Sequence, residues 1–455
     1  MRSSESGVAV ERGEVVRHDG RIVHQTMNSN TSSATSDSSS IQAMMSLLSR
    51  VRCITSAARF TLVLACIVAA GCAVTPPAPV TPTPLPPKPA AAPSLPAQYR
   101  AVTWDALPGW REDDVSAAWP AFLVGCKALA VAKGGVWQQT CLAASNVQAS
   151  DAAAVRAFFE TNFSPYQVLA HEGGEEGLVT GYYEPLLYGS RMKSERFRVP
   201  LYSPPDDLLT IDLTDLYPEL KGKRMRGRVE GKRVVSYWPR ADIDAGKAPV
   251  AGHELVYVED PVEAFFLEIQ GSGRVQLDGG AVVRLGYADQ NGHPYRAIGS
   301  VLAARGEMPL ERTSLQNIRE WGKRNPDKLP ELLENNPSYV FFREVPAFPA
   351  GSLEAVIDGP IGSLGVPLAA QRTIAVDTRS VPLGAPVFLA TTYPSTTRPL
   401  QRLVMAQDTG GAIRGAVRAD FFWGFGNDAG REAGRMRQQG RIWILWPKGA
   451  PLPGE

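Results

Sequence analysis

The chain has 455 residues, room for two or three domains once its tails are set aside. Its formal net charge is +1 and 44% of its residues are hydrophobic. Those values fit a globular protein with a core. They give no clustered basic face, which argues against a nucleic-acid partner. The 37 prolines and 42 glycines favour turns, strands and linkers over a helical bundle.

Residues 1–43 are polar and rich in Ser and Thr, with SNTSSATSDSSS as the clearest stretch. They hold too little apolar surface to fold, and disorder is expected. A secretory signal is expected over 44–72: Arg50, Arg52 and Arg59 precede the apolar run 60–70, and Gly71-Cys72 closes it. That run is too short for an ordinary membrane span of about 20 residues. The alternative is a short anchor helix that stays in place. Ala69-Ala70-Gly71-Cys72 resembles a bacterial lipobox, which would make Cys72 a lipidated first residue. Ala73 in the next position then implies the outer membrane. We expect translation to start at Met44 or Met45, leaving 1–43 out of the native protein. Ten of the 24 residues in 73–96 are proline. Such a segment is a semi-rigid polyproline spacer, reaching about 75 Å at about 3.1 Å per residue.

Residues 112–163 read as helical. Val115, Trp119, Phe122, Leu123 and Cys126 recur at helical spacing, with Pro120 demanding a kink or a later start. Trp137, Cys141 and Leu142 continue the pattern. Ser150 can cap a third helix that carries Val155, Phe158 and Phe159 on one face. Cys126 and Cys141 are the two cysteines outside the signal. An oxidising compartment makes them a disulfide candidate joining the first two helices. The alternative is two buried free thiols. No Cys/His group has metal-ligand spacing, so no metal site is expected.

From residue 178 the period changes. LVTGYYEPLLYGS, RFRVPLYS, GRVEGKRVVSYWPR, ELVYVEDPVEAFFLEIQGSGRVQLDGG and AVVRLGYADQNGHPYRAIGS read as short β-rich runs broken by Gly, Pro and Asp-Gly. FFLEIQ is taken as a strand and GSG (271–273) as the tight turn after it. A barrel or sandwich fits better than parallel βαβ units. Residues 309–334 are helical again, with Leu315, Ile318 and Trp321 on one stripe. NPSYVFFRE returns to strand. From 354 onward the chain is β-rich, with turns at Pro382-Leu383-Gly384 and Gly410-Gly411. A last helix is expected over 428–439, with Ala429, Ala433 and Met436 inward and Gly440 as its stop.

Asp377, Asp408 and Asp420 stand in this last stretch, amid glycine turns and aromatic residues. Acids beside rings suit carbohydrate cleavage: an acid protonates a glycosidic oxygen and a ring holds a sugar face. For Asp377 and Asp408 an Asx turn, with the carboxylate accepting from a backbone N–H two residues on, is an equal reading. Asp420 opens the apolar run DFFWGFG, where a charge is costly without a partner. In a strand, Phe422 shares its face while Phe421 and Trp423 lie opposite. Partial desolvation beside a ring would raise its pKa and keep it protonated, as a glycosidase acid requires. The alternative is a capping or barrel-rim aspartate paired with Arg414 or Arg418. There is no GxSxG elbow, HExxH or phosphate loop, and no cofactor is expected.

GYYEP (181–185), DPVEAFFLEIQGSGRV (260–275), GYADQNGHPY (286–295), NPSYVFFRE (336–344), GPIGSLGVPL (359–368), IAVDTRSVPLGAPVF (374–388) and QDTGGAIRGAVRADFFWGFGNDAGREAG (407–434) run in one order. Together they resemble the membrane-bound lytic murein transglycosylase A family over about 97–448. The C-terminal part is similar to the 3D domain, named for three aspartates.

The resemblance implies a mainly β fold with helices (α+β). A double-psi β-barrel would be built from 97–185 and 340–455. A second β-barrel, 186–339, would be inserted after GYYEP, with the glycan in the groove between them. The implied reaction cleaves the β-1,4 bond between N-acetylmuramic acid and N-acetylglucosamine without water, the muramyl C6 hydroxyl attacking C1 to give a 1,6-anhydro end. Asp420 matches the family's acid, Asp408 becomes a supporting carboxylate, and Asp377 shapes the barrel. Thr180, Tyr182, Gln270, Ser272, Tyr287, Phe422 and Trp423 are the residues expected to bind substrate. A tethered nucleophile explains why one tuned acid suffices where glycosidases use two carboxyls. The implied setting is the periplasmic face of a Gram-negative outer membrane, lipid-anchored, with peptidoglycan strands as substrate and cell-wall synthases as candidate partners. Two rival functions stand beside this one. The first is a hydrolase whose Asp408 and Asp420 activate water. The second is a non-catalytic glycan-binding module, since double-psi barrels host these too.

Overall fold

The computed structural model describes residues 97–129, 135–220, 223 and 225–454. The tail (1–43), the signal (44–72) with Cys72, and the proline spacer (73–96) lie outside the described residues. Among the described residues no helix is long and apolar enough to cross a membrane.

Strand β1 (Gln98–Ala101) leads into a helical layer of α1 (Trp119–Leu129), α2 (Gln138–Ala144) and α3 (Ala152–Asn162). Pro120 falls in the first turn of α1, where a missing N–H breaks no helical bond, so the helix starts late instead of kinking. Asp151 caps α3 in place of the expected Ser150. Its carboxylate accepts from the backbone N–H groups of Ala153 and Ala154, at 2.9 and 3.0 Å. Trp119, Phe122, Phe158 and Phe159 pack ring against ring under this layer, with centroids 5.0 to 5.9 Å apart. The Cys126–Cys141 disulfide joins α1 to α2, as expected, with Cα atoms 5.4 Å apart.

After β2 (Phe163–Leu169) and β3 (Gly177–Glu184) the chain leaves the first sheet at Pro185. The inserted part holds β4 (Leu186–Ser190), β5 (Val199–Tyr202), β6 (Leu209–Ile211), β7 (Met225–Glu230), β8 (Arg233–Ser236), α4 (Arg240–Asp244), β9 (Glu254–Val258) and α5 (Pro261–Gln270). It continues through β10 (Ser272–Leu277), β11 (Val282–Gln290), α6 (Ile298–Ala304), α7 (Leu315–Arg324), α8 (Leu329–Glu334) and β12 (Val340–Glu344). Its main sheet runs β12-β11-β10-β4-β9-β5, and a small sheet runs β6-β7-β8. Because β12 pairs with β11, the return crossing falls after Glu344, not at 340.

Helix α5 overturns the strand expected at FFLEIQ. Asp260 accepts from the N–H groups of Val262 and Glu263, Pro261 takes the first position, and Gly271 closes the helix in the left-handed region at φ 77°. Val262, Ala264, Phe265 and Leu267 are buried. The start and stop signals were written in the sequence; the aromatic content, which favours strands, masked them. The end of the run expected to be β-rich at 281–300 likewise opens α6.

The barrel resumes with α9 (Leu353–Ile357), β13 (Thr373–Val376), β14 (Pro386–Thr392), β15 (Pro399–Asp408), β16 (Ala419–Phe425), α10 (Gly426–Arg435) and β17 (Arg437–Pro447). The sheet order is β1-β2-β17-β14-β15-β13-β16-β3, and β3 pairs again with β17. Six strands therefore form a hydrogen-bonded ring. β13 and β14 are buried almost throughout, which explains their unbroken apolar sequence. Helix α10 buries Ala429 and Ala433 as expected but ends at Arg435. Gly440 is not its stop. It sits in β17, where a Cβ would come within 2.6 Å of Val179 Cγ2, so the position serves close strand approach. Arg274 of β10 links the two parts, reaching Glu184 at the end of β3 and Asp358 beyond α9, each at 2.9 Å.

Candidate active site

Four neighbouring strands bring Thr180, Tyr182, Asp408 and Asp420 together. Ala375 of β13 pairs with Asp408 on one side and with Asp420 on the other. At about 4.8 Å per strand, the two aspartate backbones stand about 10 Å apart. On the far side of β16, Thr180 of β3 is the register partner of Asp420, and Tyr182 pairs with Phe422. Thr180, Tyr182, Asp408 and Asp420 come from three strands and converge because side chains two apart share a face.

The two carboxyls are held differently. Asp408 Oδ1 accepts from the backbone N–H (2.9 Å) and the hydroxyl (2.8 Å) of Ser363, and its Oδ2 accepts from the Tyr182 hydroxyl at 3.1 Å. Asp420 Oδ1 has one side-chain partner, the Thr180 hydroxyl at 2.5 Å. Among the described residues no hydrogen bond joins the two carboxyls. Burial pushes the Asp420 pKa up and the Asp408 charge adds to it, with Thr180 and Arg418 opposing. Burial raises Asp408 too, against its donors from Ser363, Thr409 and Tyr182. Ser363, Thr409 and Tyr182 give the Asp408 carboxylate more donors than Asp420 receives from Thr180. Burial and both acids hold the Tyr182 phenol far above its ordinary pKa, so it remains a donor.

Asp377 does close an Asx turn, accepting from Arg379 N–H. It also pairs with the Arg379 guanidinium (2.7 Å) and accepts from Gly415 N–H (2.8 Å). Burial would raise its pKa, but those donors outweigh it and hold the carboxyl below its ordinary value. Asp377 thus braces two loops. Asp408 forms no such turn onto Gly410; it reaches Ser363 instead. Asp420 is not ion-paired to Arg414, which bonds the carbonyls of Gly410 and Ile413. Arg418 reaches the Thr180 hydroxyl, not the Asp420 carboxyl.

The two rings expected to bind substrate stand in different places. Phe422 shares the Asp420 face but is buried beneath the Tyr182 ring, with centroids 5.1 Å apart, so it backs the site instead of offering its own face. Trp423 does not line a groove. It lies in the core beside Phe421 and donates to Met436 Sδ at 3.2 Å. Strand alternation sends it inward. Gln270 accepts from the Tyr183 N–H at 3.2 Å, and Ser272 and Tyr287 lie nearby at the start of β10 and on β11. Gln270 thus holds the Tyr183 backbone and not the Asp420 carboxyl. Ser363 escaped notice in the sequence: a serine in a glycine-rich loop carries no local signal, and its partner lies 45 residues away. Among the described residues no group of three or more His, Cys, Asp or Glu could hold a metal ion.

A closed ring of six strands carrying two neighbouring aspartates, with an inserted second part, matches the two-domain fold of lytic transglycosylases. The MltA specific insert domain matches residues 178–343 and the 3D domain matches residues 372–446. Membrane-bound lytic murein transglycosylase A of Escherichia coli K12 is 32% identical over 282 residues, covering 60% of this chain and 66% of that relative. The crystal structure of MltA from Neisseria gonorrhoeae is 38% identical with a TM-score of 0.69, covering 79% of this chain and 96% of that one. The crystal structure of E. coli MltA with bound chitohexaose is 26% identical, with a TM-score of 0.55 over 78% of this chain and 95% of that one. The chain belongs to the MltA family, with a C-terminal 3D domain.

Proposed function

We propose that this chain is a peptidoglycan lytic transglycosylase with Asp420 as its acid and base. The protonated Asp420 gives its proton to the oxygen linking N-acetylmuramic acid to N-acetylglucosamine. The C1–O bond breaks and positive charge develops at C1. The C6 hydroxyl of the same muramyl unit attacks C1 and returns its proton to Asp420. A 1,6-anhydro end forms, no water is consumed, and the acid is reset. The ionised Asp408 stabilises the cationic centre through space. Attack from within one sugar carries the rate advantage of proximity.

The observation that carries this reading is the unequal treatment of the two carboxyls: Ser363, Thr409 and Tyr182 donate to Asp408, and Thr180 alone donates to Asp420. The chitohexaose bound by the E. coli relative supports a glycan as ligand. The relative's description as membrane-bound supports the expected lipid anchor at Cys72 and, with it, the periplasmic face of the outer membrane. Gln270, Ser272 and Tyr287 are proposed to meet the glycan further along the groove, and cell-wall synthases are proposed as partners.

Digestion of purified sacculi, with mass spectrometry of the products, tests the reaction. Anhydro ends, one water lighter than reducing ends, are expected. Reducing ends would mark a hydrolase, and binding without cleavage would mark a glycan-binding module.

A further inference from the structure

We propose that Arg418 is a positioning residue that acts through the Thr180 hydroxyl to dictate which oxygen of Asp420 carries the acid proton. The inference rests on the reading of Asp420 as the acid. Arg418 Nη2 donates to Thr180 Oγ1 at 2.8 Å, and Thr180 Oγ1 lies 2.5 Å from Asp420 Oδ1. A guanidinium can only donate, and a hydroxyl has a single hydrogen. With a guanidinium hydrogen on the Oγ1 lone pair, the hydroxyl hydrogen turns to Oδ1. A proton on Oδ1 would then meet that hydrogen head-on. The acid proton is left to Oδ2, which has no protein partner among the described residues and is free to meet a glycosidic oxygen. Without Arg418 the hydroxyl becomes a free rotor. It could accept a proton held on Oδ1, and that proton would be spent on Thr180.

The surroundings of Arg418 favour this role over plain structural bracing. Its remaining contacts are the carbonyls of Leu178 (3.3 Å) and Ala419, and no acid pairs with it directly. Its charge is therefore not cancelled where it stands. The charged and titratable groups facing Asp420 are Asp408 at the end of β15, Tyr182 on β3, and Arg418 just ahead of β16; β13 presents Ala375. Arg418 is the one cation in that set, and it draws the Asp420 pKa down against burial and Asp408.

The test measures initial rates on sacculi across pH for Arg418→Met, Arg418→Lys, Thr180→Val, Thr180→Ser and the double variant Arg418→Met/Thr180→Val. A fall in kcat of about tenfold or more is expected for Arg418→Met, within what general acid catalysis supplies, with KM little changed. Its alkaline limb moves to higher pH, because loss of the cation raises the acid's pKa. Arg418→Lys, still an obligate donor, recovers part of the rate. The double variant falls no further than Thr180→Val alone, since both changes break one relay. The proposal is overturned if Arg418→Met leaves rate and alkaline limb untouched, if its loss lies wholly in KM, or if the two losses multiply. Should Arg418→Met not fold, as read by thermal melting, the threonine pair decides: serine must outperform valine, and equal rates overturn it. Asp420→Asn is run in parallel. An active Asp420→Asn sinks the reading of the acid itself; an inactive one with an indifferent Arg418→Met sinks only the relay.

Discussion

Asp408 and Asp420 flank a single residue: Ala375 of β13 is the strand partner of both. That register holds two acids near enough to sense each other's charge yet unable to share a hydrogen bond. One can stay ionised while the other stays protonated.

Asp420→Asn should lower sacculus cleavage by at least about a hundredfold, the lower range of general acid catalysis. Binding of chitohexaose, followed by calorimetry, should survive, because the amide keeps the shape and the acceptor toward Thr180. Wild-type turnover in this variant would remove Asp420 from the mechanism.

Asp408→Asn should move the alkaline limb of the rate profile to lower pH. The acid works below its pKa and fails as pH rises through it. The Asp408 charge holds that pKa up, so its loss lets the pKa fall. The shift is opposite in sign to that expected for Arg418→Met. A pH–rate series on the two variants checks both directions.

The same raised pKa predicts a stability effect. A group whose pKa is raised by folding stabilises the fold below its unfolded value, and that contribution is lost as pH rises through the folded one. Near pH 7 the unfolded carboxyl ionises freely while burial disfavours that charge in the fold, so Asp420 costs stability there. Asp420→Asn should resist urea better than wild type near pH 7. The gap should close below about pH 4, where free carboxyls are protonated. Equal midpoints at neutral pH would contradict it.

Reducing Cys126–Cys141, which lie 15 residues apart in sequence, should cost about 3 kcal/mol by loop-closure entropy. Denaturation with and without reductant measures this. The catalytic strands lie elsewhere, so the folded reduced protein should keep its cleavage rate.

Gly440→Ala should destabilise the barrel by about 1–3 kcal/mol, the usual range for overpacking. The added methyl would meet Val179 Cγ2 at 2.6 Å and the Ala390 carbonyl oxygen at 3.1 Å. A denaturant titration gives the number.

Local pattern settled a good deal of this protein before any tertiary contact was known. The spacing of Trp119, Phe122 and Cys126 marked a helix, two lone cysteines marked a bridge, and the alternation after Asp420 separated Phe422 from Phe421 and Trp423. These are effects of one helix turn or one strand pleat, so neighbours in the chain carry them. The helix at 261–270 was equally local and was masked only by residues that also suit strands.

The active arrangement is of another kind. Thr180 meets Asp420 across 240 residues, Tyr182 meets Asp408 across 226, and Ser363 meets Asp408 across 45. Strand pairing between distant segments leaves no period in either segment. Only the tertiary fold decided which acid received several donors and which received one. That inequality of partners is set by tertiary contacts, which neither strand's own residues encode.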